Sequence, residues 1–78
     1  MTTLNKLLPG ERARILRLTG VDALKKRFIE MGLRKGTLVC AVRVAPLGDP
    51  IEVGIKGSNI SIRKSEASHI VVEKIEKE

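Results

Sequence analysis

A small, partly open β-barrel of about five short strands with one helical insertion is the fold this sequence predicts. Several stretches alternate with period two or run together as β-branched residues, and only one repeats its apolar residues at helical spacing. A length of 78 residues with a single aromatic, Phe28, furnishes one small aliphatic core. Residues 1–78 are therefore read as one domain.

After a short apolar lead-in (Leu4, Leu7, Leu8), Pro9-Gly10 predicts a turn, because proline pre-sets its own φ and glycine accepts a positive one. Glu11 to Leu18 follows as a strand of imperfect alternation, with Ala13 and Ile15 on one face and Leu16 and Leu18 on the other. Asp22 to Met31 is the helix, since Leu24, Phe28 and Met31 recur at spacings of four and three. Asp22 is its expected N-cap and Gly32 the residue just past its end. Lys25, Lys26 and Arg27 crowd the positive end of the helix dipole, so tertiary packing must hold this helix.

Thr37 to Ala45 reads as a second strand, ended by Pro46, Gly48 and Pro50. Ile51, Val53 and Ile55 alternate, as do Ile60 and Ile62, around Gly57-Ser58. A two-residue loop there predicts a hairpin with Ile55 opposite Ile60 and Val53 opposite Ile62. Ser65 to Ser68 predicts a turn of helix and His69 to Lys74 a last strand, before a charged tail, Glu76-Lys77-Glu78, expected to fray.

Composition narrows the function. With 42% apolar and 31% charged residues the chain is expected to fold, and its net charge is +6. No apolar run approaches the roughly 20 residues of a membrane-spanning helix, and one thiol, Cys40, makes no internal disulfide. A cytoplasmic protein without membrane insertion is expected.

An enzyme is not. His69 stands alone at the start of an apolar run, Cys40 sits within one, and no nucleophile-elbow motif is present. No pair of Cys or His has metal-ligand spacing, so no cofactor or dedicated metal site is expected; two distant ligands such as Cys40 and His69 could still converge on a transition metal. Residues 1–43 hold ten Lys or Arg against three acids, a formal +7, which makes nucleic acid a serious alternative. Against it, one helix cannot form a helix-turn-helix and one Phe cannot supply base stacking. The string Gly54-Ile55-Lys56-Gly57 resembles a KH-type loop but falls inside the hairpin. Proline-peptide readers need aromatic grooves, which leaves a protein-binding adaptor built on aliphatic and charged surface.

Three stretches taken together resemble a known family. Leu8-Pro9-Gly10-Glu11-Arg12-Ala13-Arg14-Ile15, then Phe28-Ile29-Glu30-Met31-Gly32-Leu33-Arg34-Lys35-Gly36-Thr37, then Ala45-Pro46-Leu47-Gly48-Asp49-Pro50-Ile51 with Ile62-Arg63-Lys64-Ser65-Glu66-Ala67, are similar to the ferrous iron transport protein A (FeoA) family. Phe28 stands where that family more often has Leu. The resemblance implies an SH3-like barrel with a helical insertion, here without the DNA-binding domain that iron-dependent repressors join to a similar fold. It also implies a small cytoplasmic accessory protein of bacterial ferrous iron uptake. Such a protein binds and modulates the GTPase region of the membrane transporter. Apart from the resemblance, a transition-metal-binding or sensing protein, in transient association with Fe²⁺ or another transition metal, is a further alternative. Gly10, Gly32, Gly36 and Gly48 then serve turns, and Ala13, Ile15, Leu33, Ile51, Ile62 and Ala67 fit a core. Partner contacts are expected instead from flanking residues: Lys25, Lys26, Arg34 and Lys35 near the helix, and Leu47 and Asp49 on the Pro-bounded loop.

Overall fold

The hairpin expected around residues 51–62 forms one edge of the sheet. The computed structural model describes residues 1–76. Its strands are β1 (Thr2–Thr3), β2 (Arg12–Leu18), β3 (Leu38–Val44), β4 (Ile51–Ile55), β5 (Ser58–Ile62) and β6 (Ile70–Ile75). Helix α1 (Asp22–Glu30) lies between β2 and β3, a short α2 (Lys64–Ala67) between β5 and β6, and a 3₁₀ turn spans Leu4–Lys6. All six strands form one antiparallel, partly open sheet in the order β1-β6-β2-β3-β4-β5. The five expected strands are present, and β1 joins them. Two residues are too few to show a period, so Thr2–Thr3 carried no signal.

Three expectations need correction. The hairpin turn sits at Lys56-Gly57, pairing Ile55 with Ser58, Val53 with Ile60 and Ile51 with Ile62. The reason is the position of Gly57: its φ of +78° suits the second place of a two-residue loop, whereas Lys56 keeps a negative φ. The shift from the expected register is two residues, so every side chain keeps its face.

In β2, a bulge between Ile15 and Arg17 breaks the pairing with β6. The additional residue reverses the alternation, so Leu18 packs on the same core as Ala13 and Ile15 instead of facing away. At the start of α1, Val21 occupies the N-cap and Asp22 the first turn, where its charge still suits the dipole.

Inner-face residues of the strands meet Phe28 from α1, Leu33 just after it and Ala67 from α2. Leu24 and Met31 flank Phe28 half-buried, so the expected helical stripe is the face that plugs the open sheet. The helix ends in a Schellman motif: Gly32 donates its N–H to Ile29 O at 3.0 Å and Leu33 donates to Phe28 O at 2.8 Å. Gly32 has φ +93°, a conformation that favours glycine, and a Cβ there would also crowd Ile55 Cδ1 at 3.2 Å. The buried set contains no polar or charged residue among those described.

Phe28 is the only ring in the core and is 0% exposed. Phe28→Ala is expected to lower the unfolding free energy by about 3–5 kcal/mol, a large part of the total for a small domain. Phe28→Leu, which keeps most of the volume, should lose under about 1.5 kcal/mol. Urea denaturation of the two variants checks both values; a loss under about 1 kcal/mol for the alanine variant would contradict a plug role.

Candidate interaction surface

The motif residues mostly build turns. Glu11 donates its N–H to Leu8 O at 2.9 Å, closing the Leu8-Pro9-Gly10-Glu11 turn. The Glu11 carboxylate accepts the Leu8 N–H at 2.7 Å and the Lys74 ammonium of β6 at 3.2 Å. The Leu8 N–H first, and Lys74 after it, hold this carboxyl below its ordinary value of 4.5. A second turn joins Arg34 to Thr37 through a Thr37 N–H to Arg34 O bond of 3.0 Å, and Gly36 ties it to Ile15 O at 2.7 Å. Gly10, Gly36 and Gly48 all have positive φ, as their expected turn roles require.

The third turn runs from Ala45 to Gly48, with Gly48 N–H donating to Ala45 O at 2.7 Å. Ala45 N–H in turn donates to Pro50 O at 3.0 Å. Leu47 occupies its apex and is 96% exposed. Asp49 accepts the Lys64 N–H at 3.0 Å, so this loop caps the first turn of α2. Glu66 of α2 pairs with Arg27 of α1 and accepts the Arg63 N–H at 3.3 Å.

An apolar cleft of about 670 Å³ opens beside the end of α1, lined by Gly32, Arg34, Thr37, Leu38, Ile55 and Lys56. A shallower cleft shares Leu38, Ile55 and Lys56 with it and extends to Arg12, Cys40 and Gly54. Leu38 and Ile55 supply the apolar surface, and Arg12, Arg34 and Lys56 rim it. None of these three cations pairs with a carboxylate among the described residues. Such a surface suits a partner that brings apolar and acidic side chains together.

The sequence-derived contact residues do not gather at one place. Arg34 lines the apolar cleft, whereas Asp49 lines a second cleft with Arg27, Pro50, Ser61, Arg63 and Glu66. Lys25 is half-buried on α1, Lys26 and Lys35 are exposed, and these three line neither cleft. Leu47 projects from its loop and lines neither cleft. Leu38, Ile55, Lys56 and Arg12 were not foreseen. A signal for Leu38 lay in the uninterrupted run Leu38-Val39-Cys40-Ala41-Val42: a strand that buries only Val39 and Ala41 must leave the apolar side chains of its other face outside.

His69 lies beside Thr19, whose hydroxyl donates to His69 O at 3.0 Å, while Cys40 pairs across the sheet with Arg12 and Gly54. Among the described residues no group of three or more His, Cys, Asp or Glu could hold a metal ion. No helix among them is long and apolar enough to cross a membrane.

Comparison with known proteins adds context. The FeoA domain family matches residues 2–74. Over 72 residues the chain is 39% identical to an Fe(2+) transport protein A/Fe(2+) transporter FeoB fusion protein of Porphyromonas gingivalis, covering 92% of this chain and 8% of that protein. The solution structure of iron(II) transport protein A from Clostridium thermocellum superposes with a TM-score of 0.90 at 43% identity, over 95% of this chain and 46% of that one. FeoA of Stenotrophomonas maltophilia, solved with zinc and described as a procaryotic SH3 domain protein, superposes with a TM-score of 0.80 at 30% identity, over 94% and 91% of the two chains. The chain therefore spans under half the length of the first two of these relatives, and its fold is the SH3-like one.

The lowered carboxyl of Glu11 makes stability depend on pH. Its folded value lies below the unfolded 4.5, so its contribution is complete above that pH and is lost as pH falls through the folded value. Urea midpoints measured from pH 7 down to pH 3 should therefore decline less steeply below 4.5 in Glu11→Gln than in the parent, from a lower starting point. Parallel curves would remove Glu11 from the acid response.

Proposed function

The chain belongs to the FeoA family, and from that membership we propose that it is a small cytoplasmic accessory protein of bacterial ferrous iron uptake, which binds and modulates the GTPase region of the membrane iron transporter. One observation carries the reading. In the Porphyromonas gingivalis relative, a segment 39% identical to this chain is joined to an iron transporter within one polypeptide. Such a tether holds its two parts at an effective concentration on the order of millimolar, and a separate chain must replace it with affinity of its own.

The surface supports such affinity. An apolar cleft rimmed by Arg12, Arg34 and Lys56, which form no salt bridge among the described residues, is complementary to an acidic, partly apolar patch. Arg34, Lys35 and Leu47 make contacts in this reading, with Lys25 and Lys26 extending the basic face along α1. Asp49 acts by holding the Leu47 loop against α2. The role requires no cofactor and no catalytic group; Fe²⁺ is cargo of the transporter.

Titration calorimetry against the isolated GTPase region, with and without guanine nucleotide, tests the proposal. Binding is expected in at least one nucleotide state, and Arg34→Glu should weaken it about tenfold by reversing a rim charge. Absence of heat in both states, together with no complex on the intact transporter, would overturn it.

A further inference from the structure

The two edges of the sheet differ. At one edge, β1 is only two residues long, which leaves little to pair with. The other edge is β5, five residues hydrogen-bonded on one side only, to β4. Edge strands are usually blunted by lysine, proline or a bulge. Ser58-Asn59-Ile60-Ser61-Ile62 has no charge and no proline, and its pairing with β4 is regular throughout.

Residues of an antiparallel pair alternate between exchanging both ladder bonds and exchanging none. The two-residue turn pairs Ile55 with Ser58, so the bonds to β4 belong to Ser58, Ile60 and Ile62. The N–H and C=O groups of Asn59 and Ser61 then point away from the sheet, and both residues are exposed. Ser61 also stands where two clefts meet. One has Val44, Pro46 and Pro50 in its wall beside the Arg43–Glu52 pair, and the other has Arg63, Asp49 and the Arg27–Glu66 pair. A free edge bordered by clefts for alternate side chains is the arrangement by which sheets accept an added strand.

Charge selects the occupant. Lys56 precedes β5, and Arg63 and Lys64 follow it; none of the three forms a salt bridge among the described residues. A second copy of this chain, paired antiparallel so as to use both Asn59 and Ser61, would set Lys56 against Lys64 and is disfavoured. We propose that the β5 edge takes, as an added strand, an extended segment of a partner protein with an uncharged β-branched middle and a carboxylate at each end. The partner's identity rests on the docking function proposed above; the segment's chemistry rests on the edge itself.

The test needs no transporter. A capped hexapeptide, Asp-Thr-Val-Thr-Val-Asp, is added to the ¹⁵N-labelled full chain, and amide exchange is followed by NMR. At a peptide concentration four times its dissociation constant, exchange at Asn59 and Ser61 should slow about fivefold while that of Ile60 changes little. The same peptide with lysine at both ends should not protect. Ser61→Pro removes an outward N–H and leaves the ladder to β4 intact, so it should lose the protection and unfold within a few degrees of the parent. Should that variant not fold, the hexapeptide N-methylated at alternate residues serves instead, and it should give no protection. Absence of protection at millimolar peptide, equal protection by the lysine-ended peptide, or protection that rises with protein concentration alone would each overturn the proposal, the last by identifying a second copy as the occupant. Failure here with heat in the calorimetric titration would leave docking in place and move it off this edge.

Discussion

Insertion of the Phe28 ring into the open side of the sheet is the interaction on which the rest of the structure depends. A chain of this size has few large side chains, and its strands can bury only one face of the sheet. The helix that carries the ring must therefore begin, turn inward and stop within nine residues, Asp22–Glu30. Gly32 makes the stop possible: the reversal there brings Leu33 into the same cluster as Phe28 and sends the chain toward β3. Because the ring and the aliphatic inner face satisfy each other, the basic residues of the helix stay outside the core, where Arg27 pairs with Glu66 of α2 and Lys26 is exposed.

Most of the fold was legible because its strands alternate. Ile51, Val53, Ile60 and Ile62 mark one face whatever the turn, and so the two-residue error in pairing did no harm to the assignment of the core. Leu18 was misplaced for the opposite reason. A bulge is a feature of pairing between two strands, and the β2 sequence read by itself gives no sign of the additional residue. The N-cap of α1 shifted by one residue, within the usual uncertainty of a helix end.

The candidate surface was harder to read, because residues distant in sequence assemble its cleft. Arg34 lies just past the helix, and the cleft it lines is completed by Leu38 from β3 and by Ile55 and Lys56 from the hairpin. Asp49 was singled out as a contact and proves to hold a helix end through the Lys64 N–H. Leu47, in contrast, owes nothing to the core and stands almost fully exposed at the apex of its loop. The motif stretches thus hold both residues that fix turns and helix ends and residues that stay exposed, and only packing separates the two.

Pairing of β1 with β6 sets Thr2 across from Val72, at the sheet edge opposite β5. The chain therefore enters and leaves the sheet on the same side, at strands adjacent in space. A linker attached at either end departs beside β1 and β6, the strands that pair at that edge. This geometry lets the same barrel be joined to another protein through strands other than β5, so that the join itself takes none of the β5 ladder. Whether covalently joined or diffusing, the molecule would present the same edge.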